Sequence, residues 1–303
     1  MRHIFQLAGA LGLCACLAFS GGCELPIPND DSGQAPAEGQ LSAIFLDVGQ
    51  ADAALFTFPD GRHMLVDGGN NNDGDKICDY LREAGVERLE YMVATHPHED
   101  HIGGLDEVLE QFQVDNVYAP VLDDGDVPTT KTYEDFLTAV EAEGCGLTPA
   151  AAGDRLLEES GLSIEVLSPA GSGYTELNNY SIVLRVDFGQ TSWLLTGDAE
   201  ALVEEEMLEG GCDVSADLLK VGHHGSDSSS SAAFLQQVKP ANAVISCGAD
   251  NSYGHPHEST LEALENIGAN LWRTDLQGSI RAVSDGTETK VEADPTVCCD
   301  GSR

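Results

Sequence analysis

Alternation of apolar and polar residues divides the first half of the chain into short strands and helices. Residues 41–48 and 51–58 are two apolar runs around Gly49-Gln50, a pattern that predicts a β-hairpin. Residues 75–84 carry apolar side chains at helical spacing, which predicts a helix. The same patterns predict further strands at residues 63–66, 89–94 and 114–118, and further helices at residues 104–112 and 132–143.

The second half repeats this order of elements. Residues 153–159 and 169–177 are predicted loops. Two halves of similar length, each rich in strands and then in helices, indicate two sheets packed face to face with helices outside. Strands are predicted at residues 163–167, 181–186, 192–195, 218–221 and 243–246 and within 271–291, and helices at residues 201–208, 229–238 and 260–267.

The N-terminus has the pattern of an export signal. Arg2 and His3 precede an apolar run over residues 4–19, and small residues then lead to Cys23. This resembles a bacterial lipoprotein cleavage site, so we expect a lipid anchor at Cys23; plain cleavage and an uncleaved anchor are the alternatives. The predicted divisions are a signal peptide (1–23), a flexible tether (24–40), one folded domain (41–295) and a C-terminal tail (296–303).

The charge of the chain is strongly negative. Lys and Arg number 14, Asp and Glu number 52, and the formal net charge is −38. Such a field repels nucleic acid and anionic membranes at long range, so nucleic acid is a disfavoured partner. The acidic residues are spread along the chain, which favours a role in solubility over a dedicated cation-binding surface.

The cysteines suit an exported protein. Nine are present, and six remain after the signal. An even number permits disulfides, whose pairing the sequence does not fix. None has C-x-x-C spacing, which argues against a structural zinc site.

A histidine-rich segment carries the clearest chemistry. Residues 95–104 read Thr-His-Pro-His-Glu-Asp-His-Ile-Gly-Gly and follow directly on a predicted strand. Imidazole and carboxylate groups at this density suit zinc, manganese or iron, and a pair of such metals can activate a water for hydrolysis. The alternative is a polar loop with chance histidines. Against it, seven of the nine histidines fall into three short clusters at predicted strand ends.

The segment from His96 to His101 resembles the H-x-H-x-D-H motif of the metallo-β-lactamase superfamily. Residues 45–53, Phe-Leu-Asp-Val-Gly-Gln-Ala-Asp-Ala, resemble a signature in the hydrolase domain of bacterial competence DNA-uptake proteins. The resemblance covers about residues 41–291 and implies an α/β metallo-β-lactamase fold, a four-layer αββα sandwich, with hydrolase activity. Further matching segments are residues 65–69, 178–183, 194–198, 219–226 and 253–257.

The same resemblance implies a centre of two divalent metal ions, zinc first and manganese second. His96 and His98 would bind the first metal, and Asp100 and His101 the second. Asp198 would bridge both metals because a carboxylate has two oxygens. The second site would be completed by His224, although the sequence does not decide between His223 and His224.

Residues around the ligands are expected to orient them. This supporting group is Asp47, Gln50, Asp52, Asp67, Asn178, Asn179 and Ser226, and turn or cap roles are the alternative for its carboxylates. The superfamily normally has a third histidine for the first metal. No histidine lies between His101 and His223, where the chain has Asn178-Asn179, so we expect a weak or water-filled first site.

The predicted reaction is hydrolysis of a small or polymeric phosphate ester by metal-bound hydroxide, and a diester is favoured. Asp100, His223, His255 and Lys220 are the predicted catalytic residues, with Lys220 and Ser226 holding phosphate oxygens. An ion pair between Lys220 and one of the many nearby acidic residues, such as Asp217, is the alternative for that lysine, and a surface loop is the alternative for His255 and His257. Hydrolysis of a β-lactam, other amide or thioester, and a non-catalytic binding module, are the competing functions.

Overall fold

A computed structural model describes residues 39–159 and 161–294. The predicted signal peptide, the lipid anchor at Cys23, all but the last two residues of the tether, and the C-terminal tail lie outside the described residues. Within these ranges no helix is both long and apolar enough to cross a membrane.

The first sheet has eight strands in the order β17-β16-β1-β2-β3-β5-β7-β8. Strands β3, β5, β7 and β8 run parallel, so their carboxyl ends meet at one edge. A separate pair joins β4 and β6. The strands of the N-terminal half are β1 (Leu41–Phe45), β2 (Ala54–Thr57), β3 (His63–Val66), β4 (Arg88–Leu89), β5 (Tyr91–Val93), β6 (Gln113–Val114), β7 (Val117–Pro120) and β8 (Leu147–Ala150).

The second sheet has seven strands in the order β15-β14-β13-β12-β11-β10-β9. Here β12 to β15 run parallel and also share one carboxyl edge. The remaining strands of the fold are β9 (Arg155–Glu159), β10 (Leu162–Ser168), β11 (Val183–Phe188), β12 (Thr191–Leu195), β13 (Leu218–Lys220), β14 (Asn242–Ile245), β15 (Asn270–Arg273), β16 (Ser279–Ser284) and β17 (Thr289–Asp294).

Three hydrophobic clusters separate four layers. Phe45 and Phe56 of the first sheet meet Trp193 of the second in the cluster between the sheets. Helices α1, α3 and α4 cover the outer face of the first sheet, and α5, α6 and α7 cover that of the second. The αββα sandwich is thereby confirmed. The helices are α1 (Gly74–Glu83), α2 (Glu99–Ile102), α3 (Leu105–Gln111), α4 (Lys131–Glu143), α5 (Ala201–Glu209), α6 (Ala232–Val238), α7 (Glu258–Asn266) and α8 (Thr274–Gln277).

One predicted loop is wrong. The part of residues 153–159 from Arg155 onward forms strand β9, which the charged residues at both ends of the segment concealed. This strand lies at the edge of the second sheet and pairs only with β10. An edge strand faces solvent on one side and tolerates charge, so the alternation that marks inner strands is weak there.

The cysteines do not form disulfides within the described residues. Cys78, Cys145, Cys212 and Cys247 are free thiols, and Cys78 and Cys247 are buried. Burial raises the pKa of Cys247 to about 12, with the neighbouring Asp275 carboxylate acting in the same direction. The Cys247 thiol is therefore kept in its protonated form.

Candidate metal centre

The predicted ligands meet where the parallel strands of both sheets end. His96 follows β5 of the first sheet, and Asp67 follows the adjacent β3. Asp198 follows β12 of the second sheet, and His223 and His224 follow β13. Segments from both halves of the chain thus meet at the carboxyl edges of parallel strands, where α/β folds commonly bind ligands.

The glycine at position 104 allows the histidine segment to pack against the loop after β3. Helix α2 is only four residues long and carries Asp100 and His101. Gly104 then donates its amide to the Gly68 carbonyl at 3.1 Å, and a Cβ atom at Gly104 would lie 2.6 Å from that same oxygen. A side chain there would push α2 away, so the glycine fixes the position of His101.

The first group of donors consists of His96, His101 and Asp198, all fully buried. Asp198 Oδ1 lies 3.2 Å from His101 Nε2, and Asp198 Oδ2 lies 3.9 Å from His96 Nε2. The half-buried His98 stands beside this group, with its Nδ1 atom 3.0 Å from His96 Nε2. The carboxylate of Asp198 therefore spans two imidazoles with its two oxygens.

The second group of donors consists of Asp100, His101 and His224. His224 Nε2 lies 3.3 Å from Asp100 Oδ2 and 3.6 Å from Asp198 Oδ2. His101 belongs to both groups, and Asp198 contacts both. Two sites that share these residues would lie side by side, as the sequence analysis expects.

Unsatisfied atoms in these groups point to a cation. Among the described residues, His101 Nε2, Asp198 Oδ1 and His224 Nε2 are buried and lack a well-aligned hydrogen bond, although His101 Nε2 and Asp198 Oδ1 lie 3.2 Å apart. Buried polar atoms are nearly always satisfied, because leaving them bare costs about 1–3 kcal/mol. Imidazole nitrogens and a carboxylate oxygen that converge in this way have the chemistry of a site for zinc or manganese. The residues present therefore fit divalent metal ions.

The charges of the groups follow from their mutual contacts. Burial opposes ionisation of His101, but the Asp198 and Asp67 carboxylates outweigh it and raise its pKa well above the ordinary value. Burial would raise the pKa of Asp198, yet the imidazoles of His101 and His224 hold it well below the ordinary value. Burial and the charge of His101 lower the pKa of His96 well below the ordinary value. Asp198 is thus an anion that attracts positive charge.

Outer contacts hold the imidazole rings in place. Asp67 Oδ2 lies 2.8 Å from His101 Nδ1, and the Thr95 amide and hydroxyl both donate to this carboxylate at 2.8 Å. The Ser246 carbonyl accepts from His224 Nδ1 at 3.1 Å. Each ring is thereby turned so that its Nε2 atom faces Asp198. The sequence resemblance implies this role for Asp67, whereas no sequence pattern marks Thr95 or Ser246 for it.

Lys220 is buried in an ion pair, an arrangement that favours the alternative over its predicted phosphate-binding role. It is 4% exposed, and its Nζ atom lies 2.7 Å from Asp52 Oδ2. Its partner is therefore Asp52 rather than Asp217. Asp52 in turn places its other oxygen 3.7 Å from His224 Nδ1. The lysine charge is used inside the protein, beneath the ligands, and is not available to a phosphate.

The rim of the site carries two further histidines. His223 is partly exposed, and its Nε2 atom lies 3.8 Å from Asp198 Oδ2, whereas His224 is buried. Both residues have left-handed φ angles of 51° and 52°, an unusual conformation for residues other than glycine, and both bring Nε2 within 4 Å of the same Asp198 oxygen. The ring of His255 lies 5.5 Å from that of His223, and the Gln50 amide contacts His255 Nδ1 at 3.4 Å. His224 thus takes the inner position and His223 the outer one.

A carboxylate that the sequence analysis missed stands beside His223. Glu200 Oε1 lies 3.7 Å from His223 Nδ1, and the side-chain amides of Asn178 and Asn179 donate to the two Glu200 oxygens at 3.4 and 3.2 Å. The sequence feature that could have indicated Glu200 is its position two residues after Asp198. Ser228, also missed, has its hydroxyl 3.0 Å from His223 Nδ1.

Two supporting residues make contacts within their own loops. The Ser226 hydroxyl is buried and contacts the Ser228 hydroxyl at 3.1 Å, an arrangement that holds the loop. Asp47 accepts from the Gly49 amide at 3.4 Å, and its own amide donates to the Ser279 hydroxyl. These contacts agree with the alternative turn role for Asp47.

Comparisons with known proteins agree with this geometry. The sequence model of the Metallo-beta-lactamase superfamily matches residues 46–249. The chain is 34% identical over 262 residues to ComE operon protein 3 of Bacillus subtilis, a match that covers 81% of this chain and 33% of that protein. It is 32% identical over 242 residues to Recombination protein 2 of Haemophilus influenzae, covering 78% and 28% respectively.

The chain therefore spans about a third of the length of these relatives. Among solved structures, CmlA, a diiron beta-hydroxylase from Streptomyces venezuelae, superposes with a TM-score of 0.54 at 14% identity, covering 82% of this chain and 54% of that one. That likeness concerns the fold alone. Given the sequence matches and the shared fold, the chain belongs to the metallo-β-lactamase superfamily and is similar within it to competence proteins.

Proposed function

We propose that this chain is an exported, metal-dependent phosphodiesterase that acts on small esters. The observation that carries the proposal is the convergence of three buried, unsatisfied atoms, on His101, Asp198 and His224, beneath a rim of partly exposed histidines. The buried atoms fit a metal pair, and the rim offers hydrogen-bond donors to a substrate above it.

Bound divalent cations would supply an ionised water near neutral pH and offset the negative charge that develops on a phosphate. The chain itself positions them. His96, with His98 beside it, would hold one cation, Asp100, His101 and His224 the other, and Asp198 would contact both. The outer carboxylate of Asp67 fixes the ring of His101 for this task.

The rim favours an ester with phosphate oxygens. His223 lies next to Asp198, and the Asn178 side-chain amide lies 3.5 Å from its ring nitrogens. An imidazole and an amide can donate hydrogen bonds to phosphate oxygens, and His223 can also pass a proton to the departing alcohol. Glu200 and Ser228 hold the Nδ1 side of that ring, which leaves Nε2 on the side of Asp198.

The net charge limits the size of the substrate. A charge of −38 repels a long polyanion more than it repels a single ester, because repulsion accumulates with each phosphate. Small phosphodiesters are therefore the first substrates to test, and DNA is a disfavoured one.

The test compares His223→Ala with the unchanged, metal-loaded chain on an aryl phosphodiester. We expect turnover to fall by about 100- to 10,000-fold with metal content unchanged, because a positioned acid–base group contributes that much. His63→Ala is the matched control, since His63 is also partly exposed but lies at the opposite end of β3. Failure to hydrolyse any phosphodiester, together with clear turnover of a β-lactam or thioester, would refute the substrate class and leave the metal centre standing.

Export is part of the same proposal. The basic start, the apolar run and Cys23 support removal of residues 1–22 and attachment of lipid to Cys23, the only membrane contact we propose. Mass spectrometry of the N-terminus of the native protein is expected to show a lipidated Cys23. An intact Met1 in a cytoplasmic fraction would contradict export.

A further inference from the structure

The loop after β14 forms one wall of the rim, and the side chain of Asn251 links several of its backbone groups. The side-chain amide nitrogen of Asn251 donates to the carbonyls of Gly248 and His255. Its side-chain oxygen accepts hydrogen bonds from the backbone amides of Tyr253 and His255, at 3.1 Å each. Four hydrogen bonds from one residue define the course of this loop. The side chains it carries are therefore presented in a fixed arrangement.

Tyr253 is the most prominent of these side chains. It is 67% exposed, and among the large apolar side chains exposed in the described ranges it is the only aromatic one. One face of its ring lies against His255, with ring centres 5.7 Å apart and planes 25° apart. This is an offset stack of ordinary geometry. The opposite face is open to solvent.

The stack leads from solvent to the donors of the metal centre. The ring of His255 lies 6.4 Å from that of His224 with planes 19° apart, and 5.5 Å from that of His223. Tyr253, His255 and His224 thus form a series of three nearly parallel rings. The ring of His255 thus stands between those of Tyr253 and His223, so a substrate that stacks on Tyr253 and contacts His223 has to span the ring of His255.

We propose that Tyr253 determines specificity by stacking on a planar ring in the retained alcohol of the diester, the one that is not the leaving group. The proposal rests on the proposed phosphodiesterase function. Stacking of a flat ring on an aromatic side chain typically changes binding on the order of 10-fold, and it tolerates many kinds of ring. An aliphatic alcohol offers no such contact, so the residue selects between esters that share the same reacting phosphate.

A purely structural role for Tyr253 makes a different prediction. If the ring only holds His255 in place, its loss would weaken all esters alike. If it binds the retained alcohol of the substrate, its loss weakens only esters in which that alcohol carries a ring, whatever the leaving group. A pair of substrates with the same leaving group separates these two roles.

The experiment measures kcat/KM of the metal-loaded chain for thymidine 5′-(p-nitrophenyl phosphate) and for methyl p-nitrophenyl phosphate. We expect the ratio of the two values to fall about 10-fold in Tyr253→Leu and to stay unchanged in Tyr253→Phe, which keeps the ring. Leu147→Ala is the control for loss of an exposed large side chain at the far edge of the first sheet. An equal fall for both esters would overturn the proposal.

A binding measurement tests the proposal even without turnover. Equilibrium dialysis is expected to show that thymidine 5′-monophosphate binds about 10-fold more tightly than 2-deoxyribose 5-phosphate, and that Tyr253→Leu removes the difference. If neither ester is hydrolysed but this difference is seen and removed, the role of Tyr253 stands and the phosphodiesterase proposal falls. A difference that survives Tyr253→Leu, or no difference in the unchanged chain, overturns the role of Tyr253.

Discussion

Asp198→Ala is expected to remove bound metal and to lower hydrolysis by more than ~100-fold, because even outer partners of metal ligands are each worth about 10–100-fold. Asp198 contributes both of its oxygens to the buried donor groups, one 3.2 Å from His101 and the other 3.6 Å from His224. Its negative charge would also offset the positive charge of the metal ions bound there. No other carboxylate of the described residues lies in contact with His96, His101 and His224 together.

Metal analysis by mass spectrometry after dialysis against zinc or manganese measures this loss, and circular dichroism checks that the fold is kept. Asp198→Asn is the second variant, since it preserves shape and removes the charge. Asp187→Ala is the matched control, because Asp187 lies on β11 of the same sheet and is paired with Arg185. Full metal content and full rate in Asp198→Ala would show that the bridging role is wrong.

The sequence places the predicted metal ligands near one another because four of them are local in the sequence. His96, His98, Asp100 and His101 lie within six residues, and the strand before them directs the segment to the sheet edge. Residues this close in the sequence remain close together in the folded chain. The positions of Asp67 and Asp198 at strand ends were likewise visible as breaks in apolar runs.

The contacts of Lys220 were not predictable in this way. Its partner Asp52 is 168 positions distant in the chain, and only the packing of the two sheets brings them together. From the sequence alone, a lysine next to two histidines looks like a substrate-binding cation. The alternation of residues 218–221 could not show that the lysine points inward beneath the site.

The hairpin at the start of the domain shows a related limit. Residues 41–58 were predicted as two strands around Gly49-Gln50, but β1 ends at Phe45 and β2 begins at Ala54. The apolar residues between them are buried in a loop rather than in a strand. Hydrophobic alternation reports burial, and here it does not distinguish a buried loop beside the site from an extended strand.

Lys220→Met is expected to destabilise the fold by about 3–5 kcal/mol, because it leaves the carboxylate of Asp52 buried without its partner. Both side chains are nearly inaccessible, and their charged atoms are 2.7 Å apart. For a domain of this size, a loss of that magnitude corresponds to a melting temperature lower by about 6–20 °C. Urea unfolding, followed in chelator and again with metal, measures the loss.

The double variant Asp52→Asn/Lys220→Met is the decisive control. Removing both charges leaves no buried unpaired ion, so much of the lost stability is expected to return, even though both single variants are destabilised. Lys239→Met, in an exposed lysine at the end of α6, is the matched control and is expected to change stability by no more than about 0.5 kcal/mol. If Lys220→Met alone were as stable as the unchanged chain, the ion pair would not hold Asp52 beneath His224, and the support assigned to this pair would be wrong.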